Sequence, residues 1–211
     1  LALLSALGAG WAMGGGRRTA SGVGEFRQLN FRPEAIIRAG FAPDGKTVVY
    51  SAATEGNRIE LFVVRPDAPE PQGLGLKDTQ LLAVSSKGEL AVLTEAKYVR
   101  HRLYKGTLAR LPLGGGAPRA ILEQVREADW SPDGTQLAII REVDGQDRLE
   151  FPIGTVLCRT SGYFSDLKFS PKGDGIAYFE HPIHWDDRGT VNYVDLQARS
   201  RVLSEGYESE E

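Results

Sequence analysis

Apolar residues along the chain come in short runs bounded by turn chemistry, and no segment longer than about ten residues carries a helical period. The clearest runs follow one recurring phrase. Phe41-Ala42-Pro43-Asp44-Gly45 leads into Val48-Val49-Tyr50, and Trp130-Ser131-Pro132-Asp133-Gly134 leads into Leu137-Ala138-Ile139-Ile140. Phe169-Ser170-Pro171-Lys172-Gly173 leads into Ile176-Ala177-Tyr178-Phe179, and a degenerate copy, Val84-Ser85-Ser86-Lys87-Gly88, leads into Leu90-Ala91-Val92-Leu93. In the phrase, Pro presets φ, Asp bonds its own backbone and Gly accepts φ > 0, so each copy is a tight turn between two strands. The turn glycines Gly45, Gly88, Gly134 and Gly173 are spaced by 43, 46 and 39 residues.

A period of roughly 40–50 residues with four short strands each is the mark of a β-propeller blade. The predicted fold class is therefore all-β, a propeller of four-stranded antiparallel blades. Blade 1 is expected at 35–76, with strands at 37–41, 47–52, 58–64 and near 72–74. Blade 2 is expected at 80–122, with strands at 81–84, 89–94, 107–111 and 118–122. Blade 3 is expected at 125–160, with strands at 128–130, 136–141, 148–151 and 155–159. Blade 4 is expected at 164–203, with strands at 166–169, 175–179, 190–195 and 200–203. Alternation within the strands is imperfect, as expected where both faces of a sheet are covered. We expect these four blades to be part of a ring of about six or seven.

The flanks change this picture. Residues 1–16 carry no charge but fall short of the roughly 20 residues a spanning helix needs. They read as a transmembrane-helix remnant with Trp11 as an interfacial anchor; a signal-peptide core or a loose apolar tail is the alternative. Residues 17–25 read as a Gly-rich linker and 26–31 as an outer strand that closes the ring. By the positive-inside rule Arg17 and Arg18 mark a cytoplasmic flank. The chain opens on Leu1 and ends in an acidic stretch, 204–211, that reads as the lead-in to a missing blade. We therefore expect a piece of a longer chain.

Composition removes several function classes. At 211 residues and 41% hydrophobic, the chain can bury a sizeable core. A net charge of −3 gives no electrostatic case for nucleic acid. The single cysteine, Cys158, excludes an internal disulfide framework. There is no Gly-x-Ser-x-Gly elbow, no His-Glu-x-x-His and no paired cysteines, so no catalytic residue, metal site or cofactor is expected. His181, His184, Asp186 and Asp187 lie close together around Pro182, but this stretch reads as a long hairpin loop rather than a metal site.

Binding chemistry is more legible. Residues 96–106 form the long middle hairpin of blade 2, with Lys97, Arg100, His101, Arg102 and Lys105 interleaved by Tyr98 and Tyr104. That pattern suits an anionic ligand, a polyanion or a headgroup; a soluble loop that snorkels its stems over the blade edge is the alternative. In an up-and-down blade the second hairpins and the blade-to-blade connections emerge on one face. The candidate ligand-binding residues on that rim are Tyr98, Arg100, Arg102, Arg126, Tyr163, His184 and Trp185, with His181 beside them. The Pro-Asp-Gly turns lie on the opposite face, where Asp44 and Asp133 read as structural.

The phrase aromatic-Ser-Pro-Asp-Gly-Lys followed by an apolar strand resembles the WD-like propeller repeats of the TolB-like class. The apolar segment, the Gly-rich linker and Phe26-Arg27-Gln28-Leu29-Asn30-Phe31-Arg32 look like bacterial membrane-bound serine/threonine protein kinases. Those kinases carry a cytoplasmic kinase domain, one transmembrane helix and a TolB-like propeller outside the membrane. Phrases such as Glu127-Ala128-Asp129-Trp130-Ser131-Pro132-Asp133-Gly134 and Arg148-Leu149-Glu150-Phe151-Pro152-Ile153-Gly154 are similar to that propeller. No kinase motif lies in this sequence. The resemblance implies a non-catalytic sensing or interaction propeller of such a kinase, at the bacterial inner membrane with the propeller on the extracytoplasmic side. Arg17 and Arg18 argue against that orientation. The implied partners are a protein or small-molecule ligand on the rim, the membrane through the N-terminal helix, and a second copy of the full-length protein. A periplasmic TolB-like scaffold and the gating propeller of a serine peptidase are the rival readings.

Overall fold

The computed structural model describes residues 32–53, 58–100, 103–184 and 186–207. The expected membrane remnant (1–16), linker (17–25) and closing strand (26–31) lie outside the described residues, as does 208–211 of the expected lead-in. Among the described residues no helix is long and apolar enough to cross a membrane.

The turn phrases do what their chemistry demands. Asp44 Oδ1 accepts the backbone N–H groups of Lys46 (2.9 Å) and Thr47 (2.8 Å), and Oδ2 accepts the Thr47 hydroxyl at 2.6 Å. Asp133 accepts the hydroxyls of Ser131 (2.5 Å) and Thr135 (2.8 Å). These bonds hold both carboxyls below their usual range. In the degenerate copy, where no Asp is present, Ser85 Oγ accepts Glu89 N–H at 2.9 Å instead.

Between such turns the described residues form fifteen strands: β1 (Ala35–Phe41), β2 (Val48–Ala53), β3 (Ile59–Arg65), β4 (Ala68–Lys77), β5 (Gln80–Val84), β6 (Glu89–Arg100), β7 (Leu103–Pro112), β8 (Arg119–Trp130), β9 (Leu137–Val143), β10 (Gln146–Glu150), β11 (Val156–Thr160), β12 (Tyr163–Phe169), β13 (Gly175–His181), β14 (Gly189–Asp195) and β15 (Ser200–Tyr207). They form sheets in the order β1-β2-β3-β4, β5 to β11 in one seven-stranded sheet, and β12-β13-β14-β15, with every neighbouring pair antiparallel.

The seven-stranded sheet is two four-stranded units that share β8. The first part of β8 pairs with β7, its last part pairs with β9, and Val125 pairs with both. Separate strands at 118–122 and 128–130 are the expectation; instead one strand runs from Arg119 to Trp130, with a left-handed residue, Gln124 at φ 61, inside it. No Gly or Pro interrupts 119–130, so nothing forces the chain out of the sheet.

Phe41, Val84, Trp130 and Phe169 end the four innermost strands, opposite Val48, Leu90, Leu137 and Ile176. The four copies of the phrase thus occupy equivalent places. Apolar residues of adjacent units interdigitate in three clusters: Val49, Leu61 and Leu81 with Leu111; Leu93, Tyr104 and Leu108 with Trp130 and Ile139; Ile140 and Leu149 with Phe164 and Tyr178. Sheets covered on both faces explain the imperfect alternation.

Candidate functional site

The innermost strands β1, β5, β8 and β12 line a cavity of about 480 Å³. Its β1 and β5 side is mostly apolar, with Ile37, Phe41 and Leu82. Its β8 and β12 side is polar, with Glu127, Asp129, Ser165, Asp166 and Lys168. The polar side has a backbone origin. The β12–β13 ladder slips between Ser165 and Lys168, and Asp166 takes φ 51. A bulge leaves N–H groups off the ladder, and Glu127 accepts them, from Asp166 at 3.2 Å and from Leu167 at 3.1 Å. Asp129 accepts the Phe169 N–H at 2.9 Å. Arg38 stands 3.7 Å from Glu127 and donates to the Leu82 carbonyl at 3.3 Å. Lys168 lies 3.6 Å from Asp129. Gln80 also lines the cavity. It is 3% exposed, and its Oε1 meets no donor among the described residues.

At the mouth, Tyr163 stacks on His181 with centroids 3.9 Å apart and planes 4° from parallel. The Tyr163 hydroxyl donates to the Asp186 carbonyl at 3.1 Å. His181 Nε2 is 3.0 Å from Ser165 Oγ, and burial lowers its pKa, so the ring is held neutral. His184 Nδ1 lies 3.2 Å from the Gly162 carbonyl, and its ring meets Tyr163 edge-on at 6.3 Å. Gly162 is obligatory here, because a Cβ would strike the His181 carbonyl. Among the described residues no group of His, Cys, Asp and Glu could hold a metal ion.

The expected rim residues divide. Tyr163 and His184 come together as one aromatic cluster. Tyr98, 61% exposed, and Arg100 stand on the projecting β6–β7 hairpin, whose Leu103 reaches the cavity wall. Arg126 is not on an open rim. It is 2% exposed, ion-paired with Asp147, and donates to the Phe164 carbonyl at 3.0 Å. Arg102 and Trp185 lie outside the described residues.

No family model and no curated protein matches the chain. Solved structures do. TolB from Acinetobacter baumannii superposes with a TM-score of 0.64 at 16% identity, over 84% of this chain and 45% of that one. A putative TolB from Agrobacterium tumefaciens also gives 0.64, at 14% identity over 78% of this chain and 63% of that one. The propeller domain of the Trilobed protease from Pyrococcus furiosus gives 0.52, at 12% identity over 82% and 58%. The fold is a TolB-like β-propeller. The chain spans roughly half to two thirds of each of these structures, and at such identities the likeness concerns the fold alone.

In this propeller the four units are blades, and sequence reasoning missed the residues that matter most between them. Arg38, Glu127 and Asp129 sit on inner strands and face the next blade. An acidic residue in a strand reads as solvated. Only the side-by-side placement of β8 and β12 turns Glu127 into a backbone acceptor. The available signal was a carboxylate at alternate positions, Glu127 and Asp129, directly before the Trp130 phrase.

Proposed function

We propose that this propeller is a non-catalytic sensing or interaction domain, the extracytoplasmic part of a membrane-bound bacterial serine/threonine kinase. The observation that carries the binding reading is Gln80. A buried amide oxygen without a donor is costly, and this one lines a cavity large enough for a side chain or small ligand. The charged groups around it are bonded to the protein itself, which suits recognition better than bond-making chemistry. The kinase parent is supported by the sequence resemblance of the linker and blade phrases. In this reading, a ligand seated at the rim and cavity alters association of the membrane helices and so of two kinase domains.

The test is phosphotransfer from ATP to Ser or Thr by the full-length protein in proteoliposomes. Incorporation is expected, and it should change when the propeller is removed. No incorporation sinks the kinase parent. Protease accessibility of the propeller in spheroplasts tests its placement outside the membrane.

A second reading, the gating propeller of a serine peptidase, draws on the fold likeness to the Trilobed protease domain. Labelling of the full-length protein by a fluorophosphonate would favour it. A periplasmic TolB-like scaffold, the third reading, requires a full-length protein with neither activity.

A further inference from the structure

Gln80 opens β5 and Tyr163 opens β12, so both stand at the mouth of the cavity, away from the turn phrases that follow these strands at Val84 and Phe169. His181 pairs with Tyr163 across the ladder, and Asp187 follows it in the loop between β13 and β14. Asp166 stands exposed where the β12–β13 register slips. Asp166 and Asp187 both line the cavity.

The charge of this lining does not balance. Among the described residues it holds four carboxylates, Glu127, Asp129, Asp166 and Asp187, against two cations, Arg38 and Lys168. Arg38 is matched to Glu127 at 3.7 Å and Lys168 to Asp129 at 3.6 Å. Within the lining, the surplus negative charge therefore belongs to Asp166 and Asp187. Asp166 Oδ2 accepts the Ser165 hydroxyl at 3.1 Å, and Asp187 Oδ1 lies 3.5 Å from the Tyr163 hydroxyl. Neither contact brings a positive charge. His181 lies within electrostatic range of both carboxylates, but burial holds it neutral.

Gln80 adds a need unrelated to charge. It is 3% exposed, and its Oε1 meets no donor among the described residues. A buried acceptor of this kind is costly until a donor reaches it. Ile37, Leu82 and Leu103 give the same cavity apolar surface. Water would supply the donor but would leave the surplus charge and the apolar surface unmatched. A metal ion would supply the charge, but no group of His, Cys, Asp and Glu among the described residues could hold one.

We propose that the cavity binds a soluble organic amine, its ammonium held at the mouth by Asp166, Asp187 and the Gln80 amide oxygen and its apolar stem laid against Ile37 and Leu82. An ammonium carries three donors and no acceptor, which matches two carboxylates and an amide oxygen. Its hydrogen bonds to carboxylates are the strong, charge-assisted kind. The proposal rests on reading the cavity as a binding surface and adds the chemistry of what binds there.

The experiment titrates the whole chain, followed by NMR, with n-hexylamine, hexan-1-ol and hexanoate, which share a stem and differ in the charge of the head. Hexylamine should bind about tenfold or more tightly than the other two, and added salt should weaken it. Asp166→Asn/Asp187→Asn should cost about tenfold in hexylamine affinity and leave hexanol binding unchanged. Asparagine tolerates the φ of 51 at residue 166 as aspartate does, so the backbone there is kept. Gln80→Leu should also weaken hexylamine without lowering the melting temperature, because its amide oxygen gives up no bond. If hexylamine fails to bind, binds no better than hexanoate, or binds the double variant like the unaltered protein, the proposal falls. Binding of hexanol or hexanoate in its place would overturn the amine and keep the cavity as a ligand site. Silence from all three probes would remove the cavity reading as well. Phosphotransfer by the full-length protein is read independently of these titrations.

Discussion

The junction between blades 2 and 3 and the junction between blades 3 and 4 solve one problem in two ways. At the first, a single strand, β8, crosses from blade to blade, so the backbone itself sets the register of the neighbours. The interface is mostly apolar, with Arg110 over Trp130 at 4.9 Å and with Arg110 and Ser86 donating to the Thr135 and Pro132 carbonyls at 3.0 Å. At the second, the chain leaves the sheet after Thr160 and re-enters at Tyr163. Strand β12 therefore presents an edge of N–H groups towards blade 3. Asp147, Glu127 and Asp129 accept four of them, from Phe164, Asp166, Leu167 and Phe169. Where the strand is continuous, the side-chain bonds that cross among the described residues are two, from Ser86 to the Pro132 carbonyl and from Arg110 to the Thr135 carbonyl, whereas the second junction is held by buried carboxylates on backbone N–H groups. Glu127 and Asp129 also form part of the polar wall of the cavity.

The largest effect should come from Asp147→Ala. It strands Arg126 as a buried charge and leaves the Phe164 N–H without its acceptor. We expect a loss of about 3–5 kcal/mol in denaturant unfolding, with less loss when Arg126→Met accompanies Asp147→Leu. If the double variant is no better than the single, the junction is not held by this pair. Next is Glu127→Gln, whose amide accepts one N–H but presents a donor to the other. About 1–3 kcal/mol should be lost, with faster hydrogen exchange at Asp166 and Leu167; unchanged exchange there removes Glu127 from the account.

A smaller effect is pH-dependent. Burial lowers the His181 pKa, so the unfolded chain binds its proton first as pH falls. The contribution of neutral His181 is full above its ordinary pKa of 6.5 and declines below it. Blade 4 should therefore lose stability as pH falls through 6.5, and His181→Phe, which keeps an aromatic ring against Tyr163, should flatten that slope. An unaltered slope would assign it to other groups. The smallest effect belongs to the other junction: Arg110→Gln should cost only about 0.5–1 kcal/mol, because the shared strand still holds blades 2 and 3 together. A loss as large as that of Asp147→Ala would erase the contrast between the junctions.

The sequence by itself determined the repeat, the turns and most of the strands. Asp44 and Asp133 reach groups two or three residues away, and apolar alternation reports burial within one strand, so both can be read without knowing what lies beside them. The Tyr98 and Arg100 hairpin was legible as a long cationic loop, but the register shift between those two residues was not, because a one-residue slip leaves no compositional mark. Only the tertiary structure decided that Arg126 is a buried tie rather than a rim residue and that β8 runs unbroken through two blades. It also decided that Glu127 and Asp129 bind backbone about 40 residues further on. The physical reason is reach. A turn is settled by neighbours along the chain, whereas the worth of a carboxylate in a strand depends on which N–H groups the packing of sheets brings within 3 Å or so of it.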